Sequence, residues 1–327
     1  MINIGVVGAT GLVGRKMLEV LEERNFPIGK IRLFATSKSA GQKIKFKNEL
    51  IEVEDASNSS FKGLDIALFS AGKEASKNIA PKVVADGCVV IDNGSYWRMD
   101  KNVPLVVPEV NPEDAFKHQG IIANPNCSTI QLVVVLKPLN DKFGIKRVVV
   151  STYQSISGAG QKGLNQLYSE LKGETPKDRI SNQQIAFNTV FHAISDDSLY
   201  SEEEIKMINE TRKILNYPDL KISVTCVRLP ITGGHSESVN IEFEKEIHLD
   251  EITDTLKNVK GVVVLDEPKK EIYPTPILAE NKDEVFVGRI RRDTSIDNGI
   301  NLWVVSDNLR KGAATNAVQI AELLIRK

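Results

Sequence analysis

The stretch Ile2–Val7 is a short, nearly continuous apolar run, the pattern of a strand buried on both faces of a parallel sheet. After a glycine-rich turn, Val13, Met17, Val20 and Leu21 recur at helical spacing while Glu19, Glu22, Glu23 and Arg24 take the opposite side, which predicts an amphipathic helix. Further apolar runs fall at 31–35, 66–69, 89–91 and 105–107, with a helix-like stretch at 73–86. Strands alternating with helices predict βαβ units in a doubly wound sheet.

Beyond Asn124 the pattern changes. One helix, 128–141, precedes long runs at 148–155, 222–229, 239–247, 285–290 and 300–305, in which Thr, Ser, Glu and Lys alternate with Val, Ile and Phe. Such alternation predicts a largely antiparallel sheet with one wet face, hence an α+β domain. The segment 172–197, rich in Gly, Pro, Asn, Gln and Asp, reads as an irregular excursion. At the end, Ala313, Ala317, Ile320, Leu323 and Leu324 predict a terminal helix over 309–327 that packs back onto the first domain. The expected division is therefore 1–123 with the terminal helix, and 124–308.

A length of 327 residues accommodates two such domains, each with its own core. Lys plus Arg (42) nearly cancel Asp plus Glu (43), so no overall field gathers nucleic acid or an anionic membrane, and any bound anion must be held locally. Three cysteines without a CxxC pair argue against a disulfide framework or a zinc site and for a reducing compartment. With no basic leader and no apolar run near the ~18 residues of a spanning helix, a cytoplasmic protein is expected.

Candidate chemistry gathers at three places. Gly8, Thr10, Gly11, Leu12, Val13 and Gly14 follow the first strand and open the first helix, where backbone N–H groups and the helix dipole favour a pyrophosphate. The GxxGxxG spacing is a variant of the dinucleotide fingerprint and also fits a tight turn with no ligand. The second strand runs into Ser37, Lys38 and Ser39 with no acid. Hydroxyls and a cation suit a 2′-phosphate, which points to NADP. Second, Asn124-Pro125-Asn126-Cys127-Ser128-Thr129 joins a strand end to an apolar helix. That setting puts Cys127 at a helix N-terminus, where the dipole favours a thiolate, whereas Cys88 and Cys226 lie in apolar strands and read as structural. Third, Arg228 and His235 bracket Leu229-Pro230-Ile231-Thr232-Gly233-Gly234. A turn of this kind can aim an imidazole of ordinary pKa, ~6.5, into a cleft, and the Arg228 fork suits a carboxylate. His192 lies in the excursion, and His118 and His248 have no such company.

These motifs, in this order and spacing over essentially the whole chain, resemble the aspartate-semialdehyde dehydrogenase family. The resemblance implies an α/β fold: a Rossmann-type NADP-binding domain and an α+β catalytic and dimerisation domain with a mixed, mostly antiparallel sheet. It implies Cys127 as thioester nucleophile, His235 as acid/base, Gln154 as the residue positioning substrate and Asn126 as an oxyanion stabiliser with protonated His235. Arg228 would hold the α-carboxylate, Glu203 the α-ammonium, and Arg98 and Lys206 the phosphate. Ser157, Gly158 and Asn308 would join Gly8, Thr10, Gly11, Leu12, Val13, Ser37, Lys38 and Ser39 around NADP. The implied reaction is reductive dephosphorylation of L-aspartyl 4-phosphate to L-aspartate 4-semialdehyde and phosphate, on the route to lysine, methionine, threonine and diaminopimelate. The implied assembly is a homodimer or homotetramer, without metal, nucleic acid or membrane. Glu203 and Lys206 lie three apart behind Ser201 and Glu204, a capping-box pattern that puts them on one helix face; a solvated surface pair is the bland alternative. Rivals are N-acetyl-γ-glutamyl-phosphate reductase, a related CoA-thioester reductase and, outside enzymes, a catalytically silent NADP-binding sensor.

Overall fold

A computed structural model describes residues 1–194 and 198–325, so the last three residues of the predicted excursion and the last two of the predicted terminal helix lie outside it. The chain divides into two compact units, Met1–Asn126 with the segment from Ala313 onward, and Cys127–Gly312. The sequence reading set the boundary at residue 123.

In the first unit the elements run β1 (Ile2–Val7), α1 (Leu12–Glu23), β2 (Ile28–Ala35), β3 (Lys43–Phe46), β4 (Glu49–Asp55), β5 (Ile66–Phe69), α2 (Lys73–Ala85), β6 (Val89–Asp92) and β7 (Ile121–Ala123). The sheet order β3-β4-β2-β1-β5-β6-β7 is parallel except where β3 pairs antiparallel with β4. The all-buried strand β5 accounts for its unbroken apolar run.

The run 105–107 is a single bridge, Leu105 to Ala123, rather than the expected strand. Pro104 and Pro108 flank it and withhold N–H donors from any ladder. Asn111 takes up its polar groups instead, accepting from the Val107 N–H at 2.9 Å and donating to the Leu105 carbonyl at 2.9 Å.

The second unit contains α3 (Cys127–Phe143), β8 (Ile145–Gln154), α4 (Gly160–Leu171), β9 (Val190–Phe191), α5 (Glu202–Ile214), β10 (Lys221–Arg228), β11 (His235–Phe243), α6 (Leu249–Lys257), β12 (Val262–Val264), α7 (Pro276–Ala279), β13 (Val285–Asp293) and β14 (Gly299–Ser306). Its sheet order is β12-β13-β14-β11-β8-β10-β9. The β8–β10 and β12–β13 pairs are parallel and the other four antiparallel. Strand β11 begins at His235, four residues before the sequence pattern suggests. Its first turn-side residues, His235, Ser236 and Glu237, are polar yet buried, which hides the strand from a hydrophobicity reading.

A turn of π-helix, Arg310–Ala314, leads into α8 (Thr315–Ile325). Ala317, Val318, Ile320 and Ala321 of α8 are buried in the first unit's core with Met17, Val20 and Leu21 of α1. The Arg24 guanidinium forks onto the Glu322 carboxylate at 2.7 and 2.8 Å.

Candidate active site

Sheet register assembles the second unit's candidate residues. Gln154 at the end of β8 pairs with Arg228 on one side and His235 on the other, and His235 pairs in turn with Ser306. Directly opposed residues point to the same face of a sheet, so Arg228, Gln154, His235 and Ser306 form one row across four strands. Helix α3 covers that row. Gln154 Nε2 donates to Ser128 Oγ at 2.6 Å, and Ser306 Oγ donates to Gln131 Oε1 at 2.5 Å. Cys127 is therefore the first residue of the helix lying over the row; it is half-buried and in no disulfide.

Gly312, just before α8, approaches the cysteine closely. A Cβ on Gly312 would lie 2.8 Å from Cys127 Cβ and 3.3 Å from its Cα. Glycine is required there by close approach. Gly312→Ala is expected to lower kcat at least about 10-fold by displacing the sulfur and to slow its alkylation by iodoacetamide. Wild-type values for both would refute this account of Gly312.

His235 is 1 % exposed. Its Nδ1 accepts from the Ser155 backbone N–H at 3.1 Å, so the ring proton of the neutral form sits on Nε2. Ser155 Oγ, Ser157 Oγ and Asn308 close a buried network around the same nitrogen, with Asn308 Nδ2 donating to Ser157 Oγ at 3.1 Å. Burial, and then the neighbouring Arg228, push the imidazole down to about 3. The ordinary pKa and the protonated imidazole expected from sequence are thus both corrected: the ring is neutral, because a second cation in the same dry space is too costly. A Cβ on Gly158 would fall 3.3 Å from both His235 Nε2 and Arg228 Nη1, so the missing side chain leaves room for both groups. Arg228 Nη1 also donates to the Ser155 carbonyl at 3.3 Å.

His192 is likewise depressed, to about 4, first by burial and then by Arg228. Each of these histidines has a folded pKa below its unfolded value, so its stabilising contribution is present above about 6.5 and is lost as pH falls toward the folded value. The expected slope is up to ~1.4 kcal/mol per pH unit per group. Relative to His235→Gln, the wild-type Tm should fall between pH 7.5 and 5; a constant difference in Tm would contradict the buried neutral ring.

Helix α5 opens with a capping box. Ser201 Oγ accepts from the Glu204 N–H at 3.3 Å, and Glu204 Oε2 accepts from the Ser201 N–H at 2.7 Å. This presents Glu203, which is 8 % exposed and not the solvated surface acid its sequence context allowed. Its Oε1 accepts from Gln154 Nε2 at 3.1 Å, and its Oε2 lies 3.6 Å from Lys206 Nζ. The Oε1 of Gln154 is buried with no partner among the described residues. An orphaned buried acceptor of this kind is costly unless something else satisfies it.

The other two cysteines are buried. Burial pushes Cys88 up to about 12 and Cys226 higher still.

The first unit holds the remaining candidates. Gly8 has φ +86°, and a Cβ there would meet the Ser70 carbonyl oxygen at 2.3 Å; one on Gly14 would meet the Gly8 oxygen at 2.1 Å. Gly11 is the N-cap of α1, with no side-chain cap and no acid in the first turn. Among the described residues no side chain thus caps the first-turn N–H groups beside Thr10, Leu12 and Val13, which suits a phosphate. Ser37 and Lys38 are exposed and Ser39 is half-buried in the turn after β2. The carboxylate that register brings beside the end of β2 belongs to Asp55, which is occupied by the Ser57 N–H at 3.0 Å and Asn58 Nδ2 at 2.9 Å.

Arg98 is buried, donating from Nε to the Asn124 carbonyl at 3.0 Å and from Nη2 to the Asn93 carbonyl at 2.7 Å. Asn126, also buried, precedes Cys127 directly. Among the described residues no cluster of His, Cys, Asp or Glu has the makings of a metal site, and no helix is long and apolar enough to cross a membrane.

Residues 3–118 match the model of the semialdehyde dehydrogenase NAD binding domain and residues 136–311 that of the semialdehyde dehydrogenase dimerisation domain. The chain is 56 % identical to an aspartate-semialdehyde dehydrogenase of Aquifex aeolicus, over 99 % of this chain and 98 % of that one. Its fold is similar to the crystal structure of aspartate semialdehyde dehydrogenase II of Vibrio cholerae complexed with ASA, with TM-score 0.95 and 45 % identity over 100 % and 99 % of the two chains. It is also similar to the enzyme of Candida albicans solved with NADP, with TM-score 0.77 and 27 % identity over 99 % and 98 %. With both domains matched and these identities extending over full length, the chain belongs to the aspartate-semialdehyde dehydrogenase family.

Proposed function

We propose that the chain reduces L-aspartyl 4-phosphate to L-aspartate 4-semialdehyde and phosphate through a thioester on Cys127, and runs the reverse reaction when phosphate and semialdehyde are supplied. The observation carrying this reading is the row Arg228–Gln154–His235 beneath the helix that starts at Cys127. The Cys127 sulfur bonds to the acyl carbon while the bond from that carbon to the phosphate oxygen breaks, and phosphate leaves with the electron pair. NADPH, when bound, would supply the hydride that adds to the thioester carbon and turns it into a thiohemiacetal; the uncapped α1 turn would hold its pyrophosphate, and Ser37, Lys38 and Ser39 its 2′-phosphate. As the thiohemiacetal collapses, its oxygen re-forms the carbonyl, the carbon–sulfur bond breaks and the thiolate is restored. Throughout, the neutral Nε2–H of His235 is a donor to the oxygen on which charge develops, together with the Cys127 N–H and the Asn126 side chain.

The other assignments follow the charges. Arg228 forks onto the α-carboxylate. Glu203 receives the α-ammonium and Gln154 positions the carbonyl beside the sulfur. Lys206 and Arg98 hold the phosphate, while Ser157, Gly158 and Asn308 serve the nicotinamide end. The Glu203 carboxylate suits a free ammonium and disfavours an acetylated amine, which separates this reading from N-acetyl-γ-glutamyl-phosphate reductase. The second unit, which carries the dimerisation-domain match, is assigned as the surface of a homodimer.

The test is absorbance at 340 nm with aspartate semialdehyde or N-acetylglutamate semialdehyde, each with and without phosphate. Turnover is expected only with aspartate semialdehyde plus phosphate, and with kcat/KM for NADP at least about 10-fold above NAD. Phosphate-independent turnover, or a preference for the acetylated aldehyde, refutes the reading.

A further inference from the structure

The excursion that has no regular pattern in sequence delivers one ordered group. Strand β9 is two residues long and pairs antiparallel with β10, setting Val190 opposite Arg228 and Phe191 opposite Val227. His192 is the next residue. Continuing that register by one step puts it opposite Cys226, on the face shared with Arg228, where α5 packs: Cys226 Sγ meets Met207 of α5 at 3.6 Å. The charges acting on the His192 ring agree, being those of Arg228, Glu203, Lys206 and Glu204. Its Nε2 is buried and has no hydrogen-bond partner among the described residues. A buried polar nitrogen with nothing to bond is a cost that folding alone does not repay, and here the ring feels the charges of both the guanidinium and the carboxylate assigned to the two ends of an amino acid.

We propose that His192 is a specificity-determining residue whose Nε2–H donates to the substrate α-carboxylate beside Arg228, so that this carboxylate is read by a cation and a neutral donor together. The inference rests on the reading of Arg228 and Glu203 given above. A neutral donor adds a directed hydrogen bond without a second buried charge. Arg228 already carries the one cation the carboxylate needs.

The experiment compares wild type, His192→Phe, which keeps an aromatic ring and loses the donor, and His192→Gln, which restores an N–H. KM for aspartate semialdehyde, phosphate and NADP, kcat, and inhibition by succinate semialdehyde are measured. Succinate semialdehyde keeps the carboxylate and lacks the ammonium. In His192→Phe the KM for aspartate semialdehyde and the inhibition constant of succinate semialdehyde should each rise about 10-fold or more. Meanwhile kcat should stay within about threefold and the other two KM values should not move. His192→Gln should recover most of the loss. An unchanged KM for aspartate semialdehyde in both variants overturns the proposal, as does a parallel rise in all three KM values, which marks a structural role. A rise for aspartate semialdehyde alone also overturns it, because the ammonium is then the group being read. Absence of turnover in wild type would instead refute the proposed reaction.

Discussion

Cys127→Ala is expected to reduce phosphate-dependent NADPH formation from aspartate semialdehyde by about 10⁴-fold or more, as removal of a covalent nucleophile does when the rest of the site is intact. Cys127 opens α3 above the row of Gln154 and His235, and the other two cysteines are held protonated by burial, so no thiolate elsewhere in the chain can substitute. Binding should survive, since Arg228, Glu203 and the α1 turn are untouched. NADP affinity by fluorescence titration and Tm are therefore expected near wild type, while the steady-state rate collapses. Surviving turnover above a few per cent removes Cys127 from the chemistry.

Arg228→Lys is expected to lower kcat/KM for aspartate semialdehyde by about 10²-fold, although charge is conserved. The guanidinium has more than one task. It donates to the Ser155 carbonyl at 3.3 Å and lies beside His235 above Gly158. An ammonium reaches one acceptor at a time and lacks the planar fork that pairs with both carboxylate oxygens. The loss should appear with aspartate semialdehyde and be small for the KM of NADP. A kcat/KM within threefold of wild type would show that Arg228 is only a strand-end cation.

The first unit was legible because a strand buried on both faces must be an unbroken apolar run, as in β1 and β5, and helices between such strands must show the 3.6-residue stripe. The β3–β4 hairpin was not. Its alternating Lys and Glu residues look like loop in a chain already a quarter charged. The run at 105–107 misled for the opposite reason: its side chains suit a strand, but its backbone is spoken for by prolines and Asn111. Strand β11 was read too late because its opening residues, His235, Ser236 and Glu237, are polar although buried.

At the site, the position of Cys127 at a helix start could be inferred from local sequence, as could the capping box that presents Glu203. The protonation state of His235 could not, because it depends on burial and on Arg228, which arrive only when β10, β8 and β11 pair. His192 gave no signal at all. A two-residue strand in an aperiodic segment leaves no pattern, and only its pairing with β10 brings the ring within reach of the Arg228 charge. Gly312 was equally silent: 185 positions separate it from the cysteine in sequence, while its missing Cβ leaves the space Cys127 occupies.

The central claim is that the acyl group passes through a thioester on Cys127. Wild-type protein mixed with aspartate semialdehyde and NADP but no phosphate, quenched in acid within milliseconds and examined by intact-mass and peptide mass spectrometry, tests it directly. The account predicts an aspartyl adduct on the peptide carrying Cys127, formed in step with a burst of NADPH and discharged by hydroxylamine or by phosphate. A burst of NADPH with that peptide unmodified, or an adduct on another residue, would contradict it.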